Sequence, residues 1–360
     1  MGTVALVMAG GLGERMRASG RSTPKPLVRV RGVPLLERNL YAILRAGLEE
    51  IVVSVPADVP TIGAFIEDRG TALATAAGAR LETLVEDRPL GNIGCAGLLR
   101  DRTDEVLVVY ADNLTTLELG AVLDHHRAAD AALTLATHVE TFRSPYGELS
   151  AEEGYVVDYR EKPEHEAVVS SAISVLGPPA LDAAAERAPL GLSDLFHALR
   201  RRGHLVADLR HDAEWVDVND VEALKRAESM VAADPGEFDL WREPPPREVD
   251  LALVVGRAGV VVSTGAGGRW TLPDAESVGG VSGTEARTLA EFDDLEGGEI
   301  TRVRVVRIDA DVDAPALDGM RWCPQDELLR ESDAAGLASP LIRALAAATS
   351  FGSGELVERA

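Results

Sequence analysis

Between residue 1 and about residue 232, short runs of β-branched and apolar residues alternate with stretches of helical spacing, and this alternation constrains the fold more than any other feature. The strand candidates are Val4–Met8, Ile51–Val55, Val106–Tyr110, Ala132–Thr137, Tyr155–Tyr159, Val168–Leu176 and His204–Leu209. Between them, Leu36, Leu40, Leu44 and Gly47 repeat at helical intervals, as do Leu117, Val122 and His125 more loosely. Such alternation predicts an α/β fold with a mostly parallel sheet and helices on both faces. Ligands of these sheets bind beyond the carboxyl ends of the strands. The first strand therefore points at the segment Ala9–Arg17.

The texture changes around Asp234–Asp250, where Pro244, Pro245 and Pro246 favour extended backbone and stop any helix. The expected division is a first domain over 1–234, a linker over 235–249 and a smaller domain over 250–360. In the latter, Leu251–Ser263 and Val303–Ile308 read as strands, Gly265–Gly268 as a loop and Ser339–Ala348 as a closing helix. A chain of 360 residues, 46% hydrophobic, has apolar material for two cores. Its 59 acidic against 36 basic side chains give a formal charge of −23, which argues against nucleic acid or an anionic membrane as partner. The N-terminus carries no basic leader pattern, and no run approaches the roughly 18 apolar residues of a membrane span. Cys95 and Cys323 are too far apart in sequence to suggest a disulfide framework or metal spacing. A soluble, reduced, cytoplasmic protein is expected, with Cys95 as packing and His125 and His126 on a helix surface.

The strongest chemical signal runs from Met8 to Gly32. A buried strand ends, and Gly10, Gly11 and Gly13 free the backbone to wrap closely around a ligand. Arg15, Arg17, Arg21, Lys25, Arg29 and Arg31 follow within seventeen residues, against one neighbouring acid, Glu14. A flexible backbone nest beside a cationic patch suits polyphosphate. The segment lacks the Gly-Lys-Ser/Thr ending of a P-loop and the third glycine of a dinucleotide fingerprint. Pro24-Lys25-Pro26 sits at a fixed distance behind it. Lysine occurs only at 25, 162 and 225, every other Lys/Arg position being arginine.

These residues carry a resemblance. Ala9-Gly-Gly-Leu-Gly-Glu-Arg15, eight residues and Pro-Lys25-Pro-Leu resemble the signature loop of sugar-1-phosphate nucleotidylyltransferases. Five further segments are similar to family landmarks and come in the family's order. They are Arg88-Pro-Leu-Gly91-Asn-Ile-Gly94, Val106–Asn113, Tyr146-Gly147 with Arg160-Glu161-Lys162-Pro163, Ser193-Asp194-Leu195, and Trp215-Val-Asp217-Val. The resemblance implies a Rossmann-like, mostly parallel mixed sheet and transfer of a nucleotidyl group to a sugar 1-phosphate, with release of pyrophosphate. It implies that Arg15 braces the triphosphate and Lys25 holds the attacking phosphate, while Ala9, Gly10, Gly11, Gly13, Glu86 and Gly91 bind the nucleotide. Gly147, Glu161 and Lys162 fall at the sugar-phosphate positions. Asp112 and Asp217 match carboxylates that hold one Mg²⁺, a hard cation suited to oxygen ligands. Plain alternatives exist: Asp112 as a strand-end turn residue, Asp217 as a cap for a helix beginning near Asn219, and Lys162 as a solvated loop charge.

Departures from the family pattern bear on the substrates. Asn92-Ile93, Ser170-Ser-Ala172 and Asn219-Asp220 replace the usual residues, all expected on the sugar or base side, so a cyclitol phosphate or modified sugar is as consistent as a common one. Glu86 stands where related enzymes place a glutamine against the base; a carboxylate only accepts hydrogen bonds, which suits guanine's N1–H and exocyclic amine, or a cytosine amine, better than thymine, with GTP the preferred reading. Competing readings are transfer to a non-sugar phosphate such as phosphocholine or a phosphonate, and a non-catalytic nucleotide-sugar sensor. The C-terminal region resembles a Nudix fold through Leu251–Ser263, Arg269–Pro273 and Met320–Leu328. Its metal-binding helix then falls over Arg287–Asp294, where Leu289-Ala290 and Asp293-Asp294, or in a shifted register Thr288 and Phe292, spoil the cation cluster. An inactive module is expected, used for packing, ligand sensing or contact in a homo-oligomer, a dimer.

Overall fold

The computed structural model describes residues 2–10, 23–239, 248–256, 259–264, 270–273, 287–296, 299–309 and 320–323. Strand β1 (Thr3–Met8) is followed by a 3-10 turn at Lys25–Leu27, the short pair β2 (Arg29–Val30) and β3 (Val33–Pro34), and helix α1 (Leu35–Arg45). Then come β4 (Glu50–Pro56), α2 (Pro60–Phe65) and α3 (Thr71–Ala76) with a π-helical turn between them, and β5 (Arg80–Glu86). A 3-10 segment at Gly94–Leu99 leads to β6 (Glu105–Tyr110), β7 (Asn113–Thr115), α4 (Leu119–Ala129) and β8 (Leu133–Arg143). The hairpin β9 (Glu148–Glu152) and β10 (Tyr155–Arg160) precedes β11 (Glu164–Leu176), α5 (Pro178–Glu186) and α6 (Leu192–Arg201). This region closes with β12 (Val206–Arg210), β13 (Trp215–Asp217) and α7 (Val221–Ala233).

Seven strands form one sheet in the order β12-β8-β11-β6-β1-β4-β5. Only β11 among them runs against its neighbours, so the sheet is mixed but mostly parallel, as the strand–helix alternation requires. Alternating side chains of β1 feed two cores, since successive residues of a strand point to opposite faces. Ala5 and Val7 pack with Leu36, Leu40 and Ile43 of α1, whereas Val4, Leu6 and Met8 pack with Leu181 and Ala184 of α5 and Leu195 of α6. A third cluster joins Val28, Val30 and Leu35 to Leu114, Val216, Leu224, Val231 and Phe238. It fixes the Lys25 turn and the β7–β13 ribbon to α7.

Several expectations are revised. The strand at Ala132–Thr137 continues to Arg143, and Val168–Leu176 begins at Glu164, because the two pair with each other beyond the edge of the core. Their outer residues are exposed and carry no apolar alternation to read. β5 and β9, unread in the sequence, are a half-buried edge strand and an exposed hairpin arm. The stretch after residue 234 starts inside the first layer: Pro235–Phe238 forms a 3-10 turn with Phe238 buried. Arg38 donates to the Phe238 carbonyl at 3.3 Å, and Arg45 to those of Glu237 and Asp239 at 2.5 and 2.9 Å.

His126, expected at the surface, is 5% exposed, with Nδ1 2.8 Å from Thr134 Oγ1. Burial is the main cause holding its imidazolium form below the usual range; Arg127 and His125 add to this and Glu105 opposes it. The native state therefore prefers neutral His126, while the unfolded chain takes up its proton near pH 6.5. Stability is full above that pH and falls as pH drops toward the folded value. Thermal melts between pH 7 and 5 should show a falling midpoint, with a shallower slope in His126→Gln.

The C-terminal strands form a separate mixed sheet of β14 (Glu248–Gly256), β15 (Gly259–Thr264), β16 (Trp270–Thr271), β17 (Arg287–Glu296), β18 (Glu299–Asp309) and β19 (Met320–Cys323). Leu251–Ser263 is thus two antiparallel strands. The helix expected over Arg287–Asp294 is also overturned, since that segment is β17, paired antiparallel with the β-branched run of β18. The register sets Glu291 across from Arg304 and Asp293 across from Arg302, the opposite-charge pattern of cross-strand partners. The Gly265–Gly268 loop and the Ser339–Ala348 helix lie outside the described residues. Among the described residues no helix is long and apolar enough to cross a membrane.

Candidate active site

A cleft of about 550 Å³ opens where β1, β4, β5 and β6 end. The last residue of each of these parallel strands lines it: Met8, Pro56, Glu86 and Tyr110. The chain passes from β5 on one side of β1 to β6 on the other, so the cleft sits where strand order reverses. Gly10, Lys25, Gly91 and Asp112 complete the wall. Ala9, beside them, is buried, and its N–H donates to the Ser54 carbonyl at 2.9 Å. Gly11, Gly13 and Arg15 lie outside the described residues.

Lys25 opens its 3-10 turn between two prolines whose rings fix the backbone, with the Leu27 N–H closing onto the Pro24 carbonyl at 2.9 Å. The side chain is 9% exposed, and a buried ammonium needs partners. Lys25 Nζ lies 3.2 Å from Asp112 Oδ2 and also donates to Asn219 Oδ1. Asn219 Nδ2 in turn donates to Asp217 Oδ2. Asp112 and Asp217 sit on the same short ribbon, where Asn113 of β7 is opposite Asp217 of β13 and the Val218 N–H reaches the Asp112 carbonyl at 2.9 Å. The fold thus joins two carboxylates, one lysine and one amide from three distant segments. Asp217 is not the helix cap: it belongs to β13, and Asp220 caps α7 by accepting from the Ala223 N–H at 2.8 Å. Asn219, expected on the sugar or base side, instead reaches the groups matched to phosphate and metal.

On the opposite wall Glu86 is held at both oxygens, by the Ser54 hydroxyl and by the Leu90 N–H at 2.9 Å. Cys95 packs nearby, its Sγ 3.3 Å from Met8 Sδ; burial pushes its thiol up to about 12, so it is inert packing as expected. The loop after β5 is stitched to Leu190, whose N–H donates to the Leu90 carbonyl at 2.8 Å. Gly91 has φ +84°, and a Cβ there would come within 2.3 Å of the Leu190 carbonyl oxygen. Gly91→Ala should therefore destabilise the protein by about 2–3 kcal/mol through strain and backbone displacement, read as a lower urea midpoint at unchanged slope.

A sequence profile of the nucleotidyl transferase family matches residues 4–234, well over half of the chain and all of the seven-stranded region but Thr3. The chain belongs to the nucleotidyl transferase family. Among its relatives is mannose-1-phosphate guanylyltransferase of Mycobacterium tuberculosis, 35% identical over 135 residues, 36% of each chain. N-acetylmuramate α-1-phosphate uridylyltransferase of Neisseria meningitidis is 26% identical over 64% of this chain and 98% of its own. D-glycero-α-D-manno-heptose 1-phosphate guanylyltransferase of Aneurinibacillus thermoaerophilus is 25% identical over 45% of this chain and 68% of its own. The match spans about a third of the length of the Mycobacterium relative.

In this nucleotidyl transferase, Gly147, Glu161 and Lys162 stand apart from the cleft lining. They gather at one end of the β9–β10 hairpin, where Glu148 is paired with Arg160 and the Ser144 N–H donates to the Pro163 carbonyl at 2.9 Å. The Tyr159 ring lies over Gly147, close enough that a Cβ there would collide with it, and its hydroxyl donates to Glu161 Oε2 at 2.5 Å. Lys162 is exposed with φ +45°. Behind this arm is a polar cluster the sequence did not announce. The Ser171 hydroxyl lies between His138 Nδ1 at 2.8 Å and His211 Nε2 at 2.7 Å, and Trp215 Nε1 donates to the Ser171 carbonyl at 2.8 Å. The His138 and Trp215 ring centroids lie 4.7 Å apart, with the planes tilted by 41°. The cluster backs β13 two residues before Asp217. The break in β11 pairing between Ser170 and Ser174, with Ala172 at φ +55°, turns Ser171 into it. Ser170-Ser-Ala172 was legible as a departure, though the histidines that it meets were not.

Proposed function

We propose that the chain is an enzyme that joins a nucleoside triphosphate to a sugar or cyclitol 1-phosphate. An oxygen of the acceptor phosphate forms a bond to the α-phosphorus, the bond from that phosphorus to the β-phosphate bridge breaks, and pyrophosphate leaves. The observation that carries this reading is Lys25, buried at the cleft mouth between Asp112 and the Asn219–Asp217 pair. In-line phosphoryl chemistry asks the protein chiefly for positioning and charge neutralisation. Lys25 supplies a fixed positive charge where the attacking phosphate and α-phosphate meet. Gly10 lines the cleft beside it, and the family resemblance assigns Gly11, Gly13 and Arg15 to the triphosphate.

The donor set fits Mg²⁺. Asp112 in the turn just before β7 and Asp217 at the end of the paired strand β13 bring two carboxylates to one place, and the described residues contain no group of three or more candidate metal-binding side chains. A site with two protein carboxylates leaves positions for phosphate oxygens and water, as Mg²⁺ prefers. Asp112 and Asp217 would hold the ion, which when bound neutralises phosphate charge.

GTP is the favoured nucleotide. Glu86, at the cleft wall, has one donor on each oxygen and keeps acceptor capacity for guanine N1–H and its exocyclic amine. Two of the relatives above are named as guanylyltransferases, which supports the same base. The acceptor side is read from Gly147, Glu161 and Lys162, which suit a polyol phosphate. Residues 250–360 are read as an inactive Nudix-like module on their Arg269–Pro273 and Met320–Leu328 motifs, with strand β17 where the metal-binding helix would stand, beside a nucleotidyltransferase domain over 1–234. Pyrophosphate release by the purified chain, with each NTP against sugar 1-phosphates, cyclitol phosphates, phosphocholine and phosphonates, tests the proposal. Turnover with a sugar or cyclitol phosphate supports it, whereas turnover confined to non-sugar acceptors, or none with any pair, overturns it.

A further inference from the structure

We propose that Asn219 is a positioning residue that keeps Lys25 and Asp217 apart yet aligned, sharing Lys25 between an ionic and a neutral partner. The inference rests on the catalytic reading above, and it concerns a residue at which this chain departs from the family pattern. The backbone around Asn219 is fixed from both sides. Its N–H donates to the Asp217 carbonyl at 2.9 Å, the Val218 N–H donates to the Asp112 carbonyl, and Asp220 anchors α7 one residue later. Its side chain therefore starts from a defined place and meets two groups of opposite charge. Oδ1 accepts from Lys25 Nζ, and Nδ2 donates to Asp217 Oδ2.

A side-chain amide suits this position because it offers an acceptor and donors together. Aspartate here would set a carboxylate against Asp217, and glycine would supply neither contact. The neutral partner also matters to Lys25. A lysine held by Asp112 alone in a shielded pocket forms a pair in which each group restrains the other. Both are groups that must turn to incoming phosphate and cation. Asn219 keeps the ammonium in place without claiming its charge, and it holds one oxygen of Asp217 in a set orientation.

The test is a double-mutant cycle on the full chain, with pyrophosphate release and equilibrium binding of Mg²⁺–GTP both measured. Asn219→Gly should lower kcat about tenfold with KM for nucleotide within about threefold, because misplacement of a charge acts on the reacting geometry rather than on ground-state binding. Asn219→Asp should fall further, about 30–100-fold, and Asn219→Gln should recover part of the loss. In a Lys25→Met background, Asn219→Gly should cost less than about twofold, since residues acting through one another are not additive. A purely structural role would add in full and lower the unfolding midpoint. The inference is overturned if Asn219→Gly and Asn219→Asp match the wild type, or if the loss is undiminished in the Lys25→Met background. Absence of turnover in the wild type with every substrate pair sinks the catalytic reading by itself. Urea unfolding of the same four proteins then decides for Asn219: non-additive changes in midpoint for Asn219→Gly and Lys25→Met support its bridging contact, and fully additive changes overturn it.

Discussion

Replacing Lys25 by methionine should lower kcat by about 10²–10³-fold while the protein still binds nucleotide and folds. Methionine keeps the length and apolar stem, so the substitution removes the ammonium and little else. Removing one fixed donor aimed at developing charge typically costs that much, equivalent to roughly 3–4 kcal/mol of transition-state stabilisation. The structure explains why the loss should fall on kcat. Lys25 is held by Asp112 and Asn219 on one side of the cleft, whereas the side proposed for the base carries Glu86 and Gly91. Stability should change by no more than about 1 kcal/mol, because the Asp112 side chain left behind is a quarter exposed and can take water in place of the ammonium. Single-turnover pyrophosphate release, set beside nucleotide binding by calorimetry, separates the two effects. A Lys25→Met protein with more than half of wild-type kcat would show that the buried charge serves the fold alone.

The second large effect is expected at Asp217. Asp217→Asn preserves shape and a contact for Asn219 but removes a charge from the pair proposed for Mg²⁺. A loss of about 10³-fold in turnover at saturating nucleotide is expected, with activity partly regained as Mg²⁺ is raised. That concentration dependence is the informative part. A residue that merely held β13 against β7 would lower the melting temperature and leave the Mg²⁺ half-activation point where it was. Adding a chelator to the wild type should reproduce the loss, and excess Mg²⁺ should reverse it. Unchanged Mg²⁺ dependence in Asp217→Asn would remove Asp217 from the metal site.

The central sheet was legible because its strands are buried on both faces and read as unbroken apolar runs, and because the intervening helices keep a clear period. Asp112 and Asp217 were picked out through the family resemblance, each at the end of an apolar run. Asn219 was not legible. An asparagine beside a helix start looks like a cap, and its partner Lys25 is 194 residues away, a distance no local pattern spans. His126 was misplaced because one apolar face of α4 is wider than the sparse Leu117–Val122 spacing suggested. β17 was misread for a different reason: a borrowed helical motif outweighed the hairpin signal of Gly297-Gly298 between two strand-like runs. Gly91 shows the opposite case. It was singled out through a segment matched to nucleotide binding, but the need for glycine there comes from Leu190, nearly a hundred residues on.

The ribbon of β7 and β13 has a consequence for how the molecule comes into being. The four parallel strands that end at the cleft, β1, β4, β5 and β6, and the first three helices are all encoded before residue 112, yet Asp217 and Asn219 lie more than a hundred positions later. Contacts of such long separation form last, because the intervening chain must first lose its freedom. During synthesis, the growing polypeptide can therefore fold its central layer and still be chemically silent. It acquires a full set of charged groups only when its closing strand docks, so competence arrives together with completion of the domain.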